Sequence, residues 1–262
     1  MVVNVKKLAE LAEEFAYNEL SLMGMHTKKL SRSETEERPD FLVTDASESY
    51  LIELKSKFPE FEKIEDRNGR LNRGEVVEEK KQLRYENTLS GIVKNAASQL
   101  SSYNQEKVDY RLIWLHAQGY WPDMQYSQFE IVLYGKVDIA NLETQRVMPC
   151  YYYTASEFFY LQNEIDGAIL STSRGGRFCL NTFSKRYPSL KKSLLRGRFR
   201  GAVCDPIEEE IQGKAYNISD YDEDRKCESE VLRFLQNKYK QKYLVRCSSY
   251  CYGAEAQIGP NN

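Results

Sequence analysis

Histidine is almost missing from this chain. Only His26 and His116 occur in 262 residues, so a histidine-built zinc site or a histidine-dependent nucleophilic triad has little to work with. Cysteine is present but unorganised. Cys150, Cys179, Cys204, Cys227, Cys247 and Cys251 are scattered with no Cys-x-x-Cys pair, which signals neither a zinc ribbon nor a dense disulfide framework. No stretch approaches the roughly 18 uninterrupted apolar residues of a membrane span, and no apolar signal region opens the sequence. A cytoplasmic protein with no membrane partner is therefore expected. Internal repeats and low-complexity tracts are lacking too. What is there is a globular composition, 41% apolar and 12% aromatic with a net charge of -2, enough to bury one large core or two smaller ones.

Charge occurs where a buried element should be uncharged. Asp40 lies in Arg38-Pro39-Asp40-Phe41-Leu42-Val43, and Glu53 follows thirteen residues later in Tyr50-Leu51-Ile52-Glu53-Leu54-Lys55-Ser56-Lys57. Their flanks are apolar and β-branched, the composition of buried strands, so each acid needs a partner or a function to justify it. The apolar runs 41–43 and 50–52 are joined by Thr44-Asp45-Ala46-Ser47-Glu48-Ser49, which predicts a β-hairpin with Asp40 beside Glu53. Alternate residues of a strand share a face, so Glu53, Lys55 and Lys57 line up together. Two carboxylates with an ammonium alongside suit Mg²⁺, a hard cation bound by one or two carboxylates plus substrate phosphate. The lysine is placed to orient an attacking water and offset phosphate charge.

At these residues the chain resembles the PD-(D/E)XK nuclease superfamily, whose signature is matched by Pro39-Asp40 and then Glu53-Leu54-Lys55. The resemblance implies that Asp40 and Glu53 are metal ligands, that the Leu54 carbonyl is a further ligand, and that Lys55 steadies the nucleophile or the transition state. The tripeptide alone is not specific, since Glu78-Glu79-Lys80 and Glu79-Lys80-Lys81 repeat it on a highly charged stretch. Residues 5–23 carry Leu8, Leu11, Phe15 and Leu22 at helical spacing with Gly24 as a stop, which predicts an opening amphipathic helix. In many superfamily members a glutamate on this helix reaches the metal, and the resemblance points to Glu14, with Glu10, Glu13 and Glu19 as competitors and a solvated surface glutamate as the plain alternative. Residues 92–103 predict a second helix. Gln99-Leu100 and Tyr103 there are similar to the glutamine helix of RecB-like nucleases, in which the glutamine meets a metal-bound water or a phosphate oxygen. An exposed, uninvolved glutamine is the competing reading. Some RecB-like nucleases hold an iron-sulfur cluster through a cysteine early in the chain. None precedes Cys150 here, so no cluster is expected.

Between these motifs, residues 58–84 form a charged insertion suited to a lid or substrate-gripping loop, with a solvated helix expected over Glu75 to Tyr85. Arg111 to His116 and Phe129 to Tyr134 predict strands. His116 at the end of the first is expected to be a satisfied core histidine. Thr154-Ala155-Ser156-Glu157 is a capping-box pattern for a helix running to Ile165, and Glu228 to Tyr239 predicts another with Val231, Phe234, Leu235 and Tyr239 inward.

The near-neutral total hides two opposed blocks. From Gly167 to Cys204 there is no acid, while Arg174, Arg177, Lys185, Arg186, Lys191, Lys192, Arg196, Arg198 and Arg200 supply nine positive charges. Asp205 to Glu230 then carries ten acids. Phe178, Phe183, Tyr187 and Phe199 interleave with the basic residues, a composition suited to phosphate contact and base stacking. The competing reading makes those aromatics core and pairs the basic block with the acidic one.

These observations predict an α/β chain with a restriction-endonuclease-like core, a central mixed β-sheet flanked by helices, and a C-terminal α+β elaboration. The expected boundaries are 1–145 for the core, with its insertion at about 58–84, and 146–262 for the elaboration. The tail 259–262 is expected to fray. The expected activity is Mg²⁺-dependent hydrolysis of phosphodiester bonds in nucleic acid, DNA rather than RNA, with Mn²⁺ able to replace Mg²⁺. Asp40, Glu53, Lys55 and Gln99 form the expected catalytic set. Lys57, Tyr103, Lys185, Arg186, Lys191, Lys192, Arg196, Arg198 and Arg200 are the candidate nucleic-acid contacts. Defence, restriction and repair settings are all compatible, and a homo-oligomer or protein partner stays open. The alternative is a catalytically silent protein of the same fold that binds nucleic acid or a protein. A structural protein in which Glu53 and Lys55 form an edge-strand ion pair ranks last.

Overall fold

A computed structural model describes residues 5–30, 38–58, 61–118, 121–222, 225, 227–247 and 251–258, the backbone alone for 79–81 and 251–258. The chain opens with α1 (Val5–Leu22), β1 (His26–Lys29), β2 (Phe41–Asp45) and β3 (Glu48–Lys57). The helix ends at Gly24, whose φ of 78° suits a residue without a Cβ. Its buried stripe is Ala12, Ala16 and Leu20, spaced four apart on one face. The predicted hairpin is present: β2 and β3 are antiparallel, with Phe41 opposite Ile52 and Asp45 opposite Glu48.

The insertion follows as α2 (Phe61–Asn72) and β4 (Val76–Gln82), then come α3 (Asn87–Ser102), β5 (Tyr110–Ala117) and α4 (Pro122–Tyr134). Two expectations fail here. Residues 76–82 are a strand, not a solvated helix, because Val76 to Gln82 pairs antiparallel with a strand at the far end of the chain, Val76 opposite Ile258. Residues 129–134 are the second half of a helix. The run is apolar enough for a buried strand, but Pro122 in the first turn and Gly135 at φ 59°, donating to the Ile131 carbonyl, mark the two ends of a helix. Phe129, Val132, Leu133 and Tyr134 are all fully buried, and a helix packed on most sides loses its amphipathic signature.

The remainder comprises β6 (Val137–Asn141), β7 (Arg146–Tyr151), α5 (Glu157–Tyr160), β8 (Gly167–Thr172), β9 (Gly175–Leu180), α6 (Tyr187–Leu190) and α7 (Leu194–Arg198). After these come β10 (Val203–Cys204), α8 (Pro206–Ile211), β11 (Tyr216–Asn217), α9 (Glu228–Tyr239), β12 (Leu244–Arg246) and β13 (Cys251–Ile258). The helix at Glu157 is shorter than predicted, and its cap is Ser156, which accepts from the Phe159 amide, rather than Thr154. Helix α9 has the predicted bounds, with Val231 and Leu235 as its buried residues.

The protein is α/β, with a central mixed sheet of seven strands in the order β1-β2-β3-β5-β8-β9-β10, flanked by helices. Strands β3, β5 and β8 are mutually parallel in the middle, β1-β2, β2-β3 and β8-β9 are antiparallel pairs, and β10 runs parallel to β9. One face packs against α1, α6 and α7 through Ile52, Leu54, Leu112, Trp114, Leu190 and Leu195. The other packs against α3 and α4 through Leu42, Leu51, Val93, Leu100, Ile113 and Phe129. A second sheet, β11-β7-β6-β12, lies beyond it. The central layer therefore takes β8, β9 and β10 from beyond residue 145, so the boundary expected there does not divide the sheet. The tail at 259–262 lies outside the described residues.

Candidate active site

The hairpin register decides the site. Phe41 faces Ile52, so the next step outward sets Asp40 opposite Glu53, and both share the face of Leu42 and Leu51, towards α3. Strand β2 stops there while β3 continues against β5, with Glu53 paired to Ile113 and Lys55 to Leu115. The exposed edge left by the end of β2 is closed by Asp40 itself, whose Oδ2 accepts the Leu54 amide at 2.8 Å. The N–H and C=O of one strand residue point to the same edge, so the Leu54 carbonyl also opens towards Asp40.

Glu53 is only 2% exposed. Its Oε1 lies 2.7 Å from the Lys55 ammonium, and its Oε2 is buried without a hydrogen-bond partner. Burial first, and then the charge of Asp40, push its carboxyl up to about 8 from an ordinary 4.5, with the Lys55 charge opposing. Such a carboxylate pair retains a proton unless a cation replaces it. Lys55 in turn donates to Gln99 Oε1 at 2.5 Å, which fixes the glutamine of α3 against the strand. An ammonium has three hydrogens. Glu53 and Gln99 take two, and the third has no described acceptor.

The donor set suits one hard cation. Among the described residues no group of three or more His, Cys, Asp or Glu is arranged to hold a metal, so the protein ligands would be the Asp40 and Glu53 carboxylates and the Leu54 carbonyl. Magnesium keeps several waters and accepts such a sparse set, whereas closed zinc sites and calcium cages need more protein donors. The orphaned Glu53 Oε2, buried in a group that also feels the charge of Asp40, is the observation that fits a cation.

Other predicted residues are not brought to this cluster. Glu14 is exposed and sits two residues from both Ala12 and Ala16, hence on the outer side of α1, which itself covers the opposite sheet face. Tyr103 is buried in the core under α3 with its hydroxyl unpartnered, so its ring is not offered to a base. Lys57 does follow Lys55 on the same face, half-buried.

The part of the basic block around α6 and α7 lies at the other end of the sheet, whereas Arg177 shares the cross-strand row of Lys55, Leu115 and Leu170 and pairs with Glu130 at 2.9 Å. Arg198 pairs with Asp45 at 2.8 Å, and the Leu194 amide donates to Glu48 at 2.8 Å. Both acids flank the hairpin turn, and Glu53 is five residues further along β3, about 17 Å at strand rise. Several of its cations are consumed internally. Arg186 binds Asp166 at 3.1 Å, Lys191 binds Asp205 at 3.1 Å and Glu208 at 3.2 Å, and Arg196 reaches Glu208 at 3.5 Å. Lys185, Lys192 and Arg200 are exposed. The interleaved aromatics are not free for stacking on bases. Phe178 stacks on Phe199 with centroids 5.3 Å apart inside the core, Phe183 packs against the other core, and the Tyr187 hydroxyl donates to Asp205 at 3.0 Å. The pairing of the basic with the acidic segment is thus realised at Lys191 and Arg196.

His116 has a structural place. Its Nδ1 lies 2.8 Å from Ser171 Oγ, its ring stacks on Phe15, and burial lowers its pKa to about 4. A residue the sequence reading passed over as a cap is Glu157. It is completely buried, accepting from Tyr85 at 2.5 Å and Ser90 at 2.7 Å, with Lys94 at 3.6 Å. Its capping-box position hid it, since that pattern assigns the glutamate to the helix end rather than to the core.

Fold and site together describe an α/β protein whose central sheet presents a buried carboxylate pair with a lysine and a glutamine beside it. No protein-family model, curated protein or solved structure matches the chain.

Proposed function

We propose that this protein is a Mg²⁺-dependent phosphodiester hydrolase acting on nucleic acid, DNA in preference to RNA, built on a restriction-endonuclease-like core of the PD-(D/E)XK kind. The observation that carries the reading is the convergence of Asp40, Glu53, Lys55 and Gln99, with a buried Glu53 oxygen left unsatisfied. The order of helix, hairpin, glutamine helix and parallel strand supports the core assignment. No helix among the described residues is long and apolar enough to cross a membrane.

Asp40, Glu53 and the Leu54 carbonyl would hold Mg²⁺, or Mn²⁺ in its place, which would supply Lewis acidity and charge to offset the phosphate. The chain's own residues then do the positioning. Asp40 is held by the Leu54 amide, which restrains its carboxylate beside Glu53. Lys55, anchored by Glu53 and Gln99, directs its remaining N–H at the nucleophilic water or a non-bridging phosphate oxygen. Gln99 keeps its amide nitrogen as a donor for the same phosphate. Lys57 is one step further along the strand face, in reach of a flanking phosphate.

The test is incubation of purified protein with linear DNA, circular DNA and RNA in Mg²⁺, Mn²⁺ or EDTA, beside Asp40→Ala and Lys55→Ala. Cleavage dependent on the cation and lost in both variants supports the reading. Cleavage that survives either substitution overturns the mechanism, and cation-independent binding with no cleavage favours the catalytically silent alternative.

A further inference from the structure

A second site lies away from the carboxylate pair. A cavity of about 440 Å³ opens between α4, the start of β6, the end of β12 and the segment leading into α3, a size within the range of small-molecule sites. Three cations, Arg84, Lys136 and Arg246, line it together with one acid, Asp138. Lys136 is balanced by Glu130 and Arg246 by Glu228 at 3.2 Å. Arg84 is exposed and makes no ion pair among the described residues. Arginine offers phosphate two parallel N–H donors, so an anionic phosphate is the ligand group these walls recognise.

The rest of the lining fits the rest of a nucleotide. Leu83, Ile131 and Val137 give an apolar wall, and the ring of Tyr85 beside them is held by its hydroxyl on Glu157 at 2.5 Å. Ser127, Thr154 and the Asp138 carboxylate supply donors and acceptors for sugar hydroxyls. The walls are fixed before any ligand arrives. Gln128 ties the segment before α3 to α4 through Glu86 at 2.7 Å, and the Cys247 amide donates to the Asp138 carbonyl at 2.9 Å. A Cβ on Gly135 would stand 2.4 Å from the Thr154 carbonyl oxygen, so α4 and the Thr154 wall touch backbone to backbone. Preformed walls reduce the ordering cost of binding.

We propose that this cavity binds a nucleoside monophosphate, phosphate at Arg84 and Arg246 and base against Tyr85 and Ile131. The site is independent of the hydrolytic reading. The test is therefore isothermal titration of adenosine 5′-monophosphate, adenosine and inorganic phosphate in EDTA, with the full chain and with Glu53→Gln. The monophosphate is expected to bind at least about tenfold tighter than either fragment, and equally in both proteins. Arg84→Ala is expected to weaken it about 10- to 100-fold, as for loss of a charged hydrogen bond, with the melting temperature unchanged. Ser127→Trp, which fills the cavity, is expected to abolish it. Equal binding of nucleotide and fragments, no binding at millimolar concentration, or an unchanged Kd in Arg84→Ala overturns the proposal. Binding that disappears in Glu53→Gln also overturns it, because that assigns the ligand to the carboxylate site.

Discussion

Glu53→Gln probes the buried carboxylate pair most directly, through the pH dependence of stability. The folded protein holds the Glu53 proton up to about pH 8, against 4.5 for an ordinary glutamate. Below pH 4.5 folded and unfolded chains are both protonated, and the contribution of this group is fully present. Between 4.5 and about 8 the unfolded chain releases a proton that the folded chain keeps, so stability falls as pH rises through this window and levels off above it. At about 1.4 kcal/mol per pH unit the interval sets a ceiling of about 5 kcal/mol. Glutamine has no proton to lose, so Glu53→Gln is expected to be more stable than the native protein at pH 9 in EDTA, by about 2 to 5 kcal/mol, and to match it near pH 4.5. Urea unfolding at pH 5, 7 and 9 measures this. With millimolar Mg²⁺ the native protein is expected to recover stability at pH 9, and the variant is not. A native protein whose stability is flat from pH 5 to 9 in EDTA, or a variant rescued by Mg²⁺ to the same extent, refutes the reasoning about the carboxylate pair.

Three further outcomes are expected. Lys55→Ala should lower the rate of cation-dependent cleavage about 10²- to 10³-fold, the scale of losing one transition-state donor, while the native circular dichroism is retained; an unaltered kcat excludes Lys55 from the chemistry. Glu14→Ala should leave the Mg²⁺ titration midpoint of stability unchanged within error, because that side chain is on the outer side of α1; a shift of the midpoint would place it at the cation. Gly135→Ala should cost about 2 to 4 kcal/mol in chemical denaturation, combining the left-handed φ of 59° with a Cβ forced on to the Thr154 carbonyl; a neutral substitution would show that this contact relaxes freely.

The hairpin was legible because its signals are local. Apolar runs on either side of a polar turn, with a side-chain period of two, place Asp40, Glu53 and Lys55 on one face. Helix α9 was legible for the same reason, with Val231 and Leu235 at helical spacing. Helix α4 reads as a strand because Phe129 to Tyr134 is apolar apart from Glu130, which is itself buried, while the residues that mark its helical ends, Pro122 and Gly135, lie outside that run. Strand β4 could not be read at all: Glu78 to Lys81 has helix-forming composition, and its extended conformation comes from pairing with residues 251–258.

The basic block shows the limit of composition. Nine cations in a row without an acid looked like a phosphate surface, yet Arg186, Lys191, Arg196 and Arg198 are each matched to a carboxylate remote in sequence or in the next segment. Charge counts along a chain do not reveal which partner each side chain meets across the fold.

By itself the sequence determined which acids and which lysine share a strand face, because alternation along an extended backbone is a property of neighbours. Tertiary structure alone decided that Gln99 reaches Lys55, that Glu14 and the basic residues around α6 and α7 do not reach Glu53, and that Arg84 and Arg246 face one cavity. Those meetings depend on how sheet faces are covered and where strands end, which is set by packing between segments far apart in the chain.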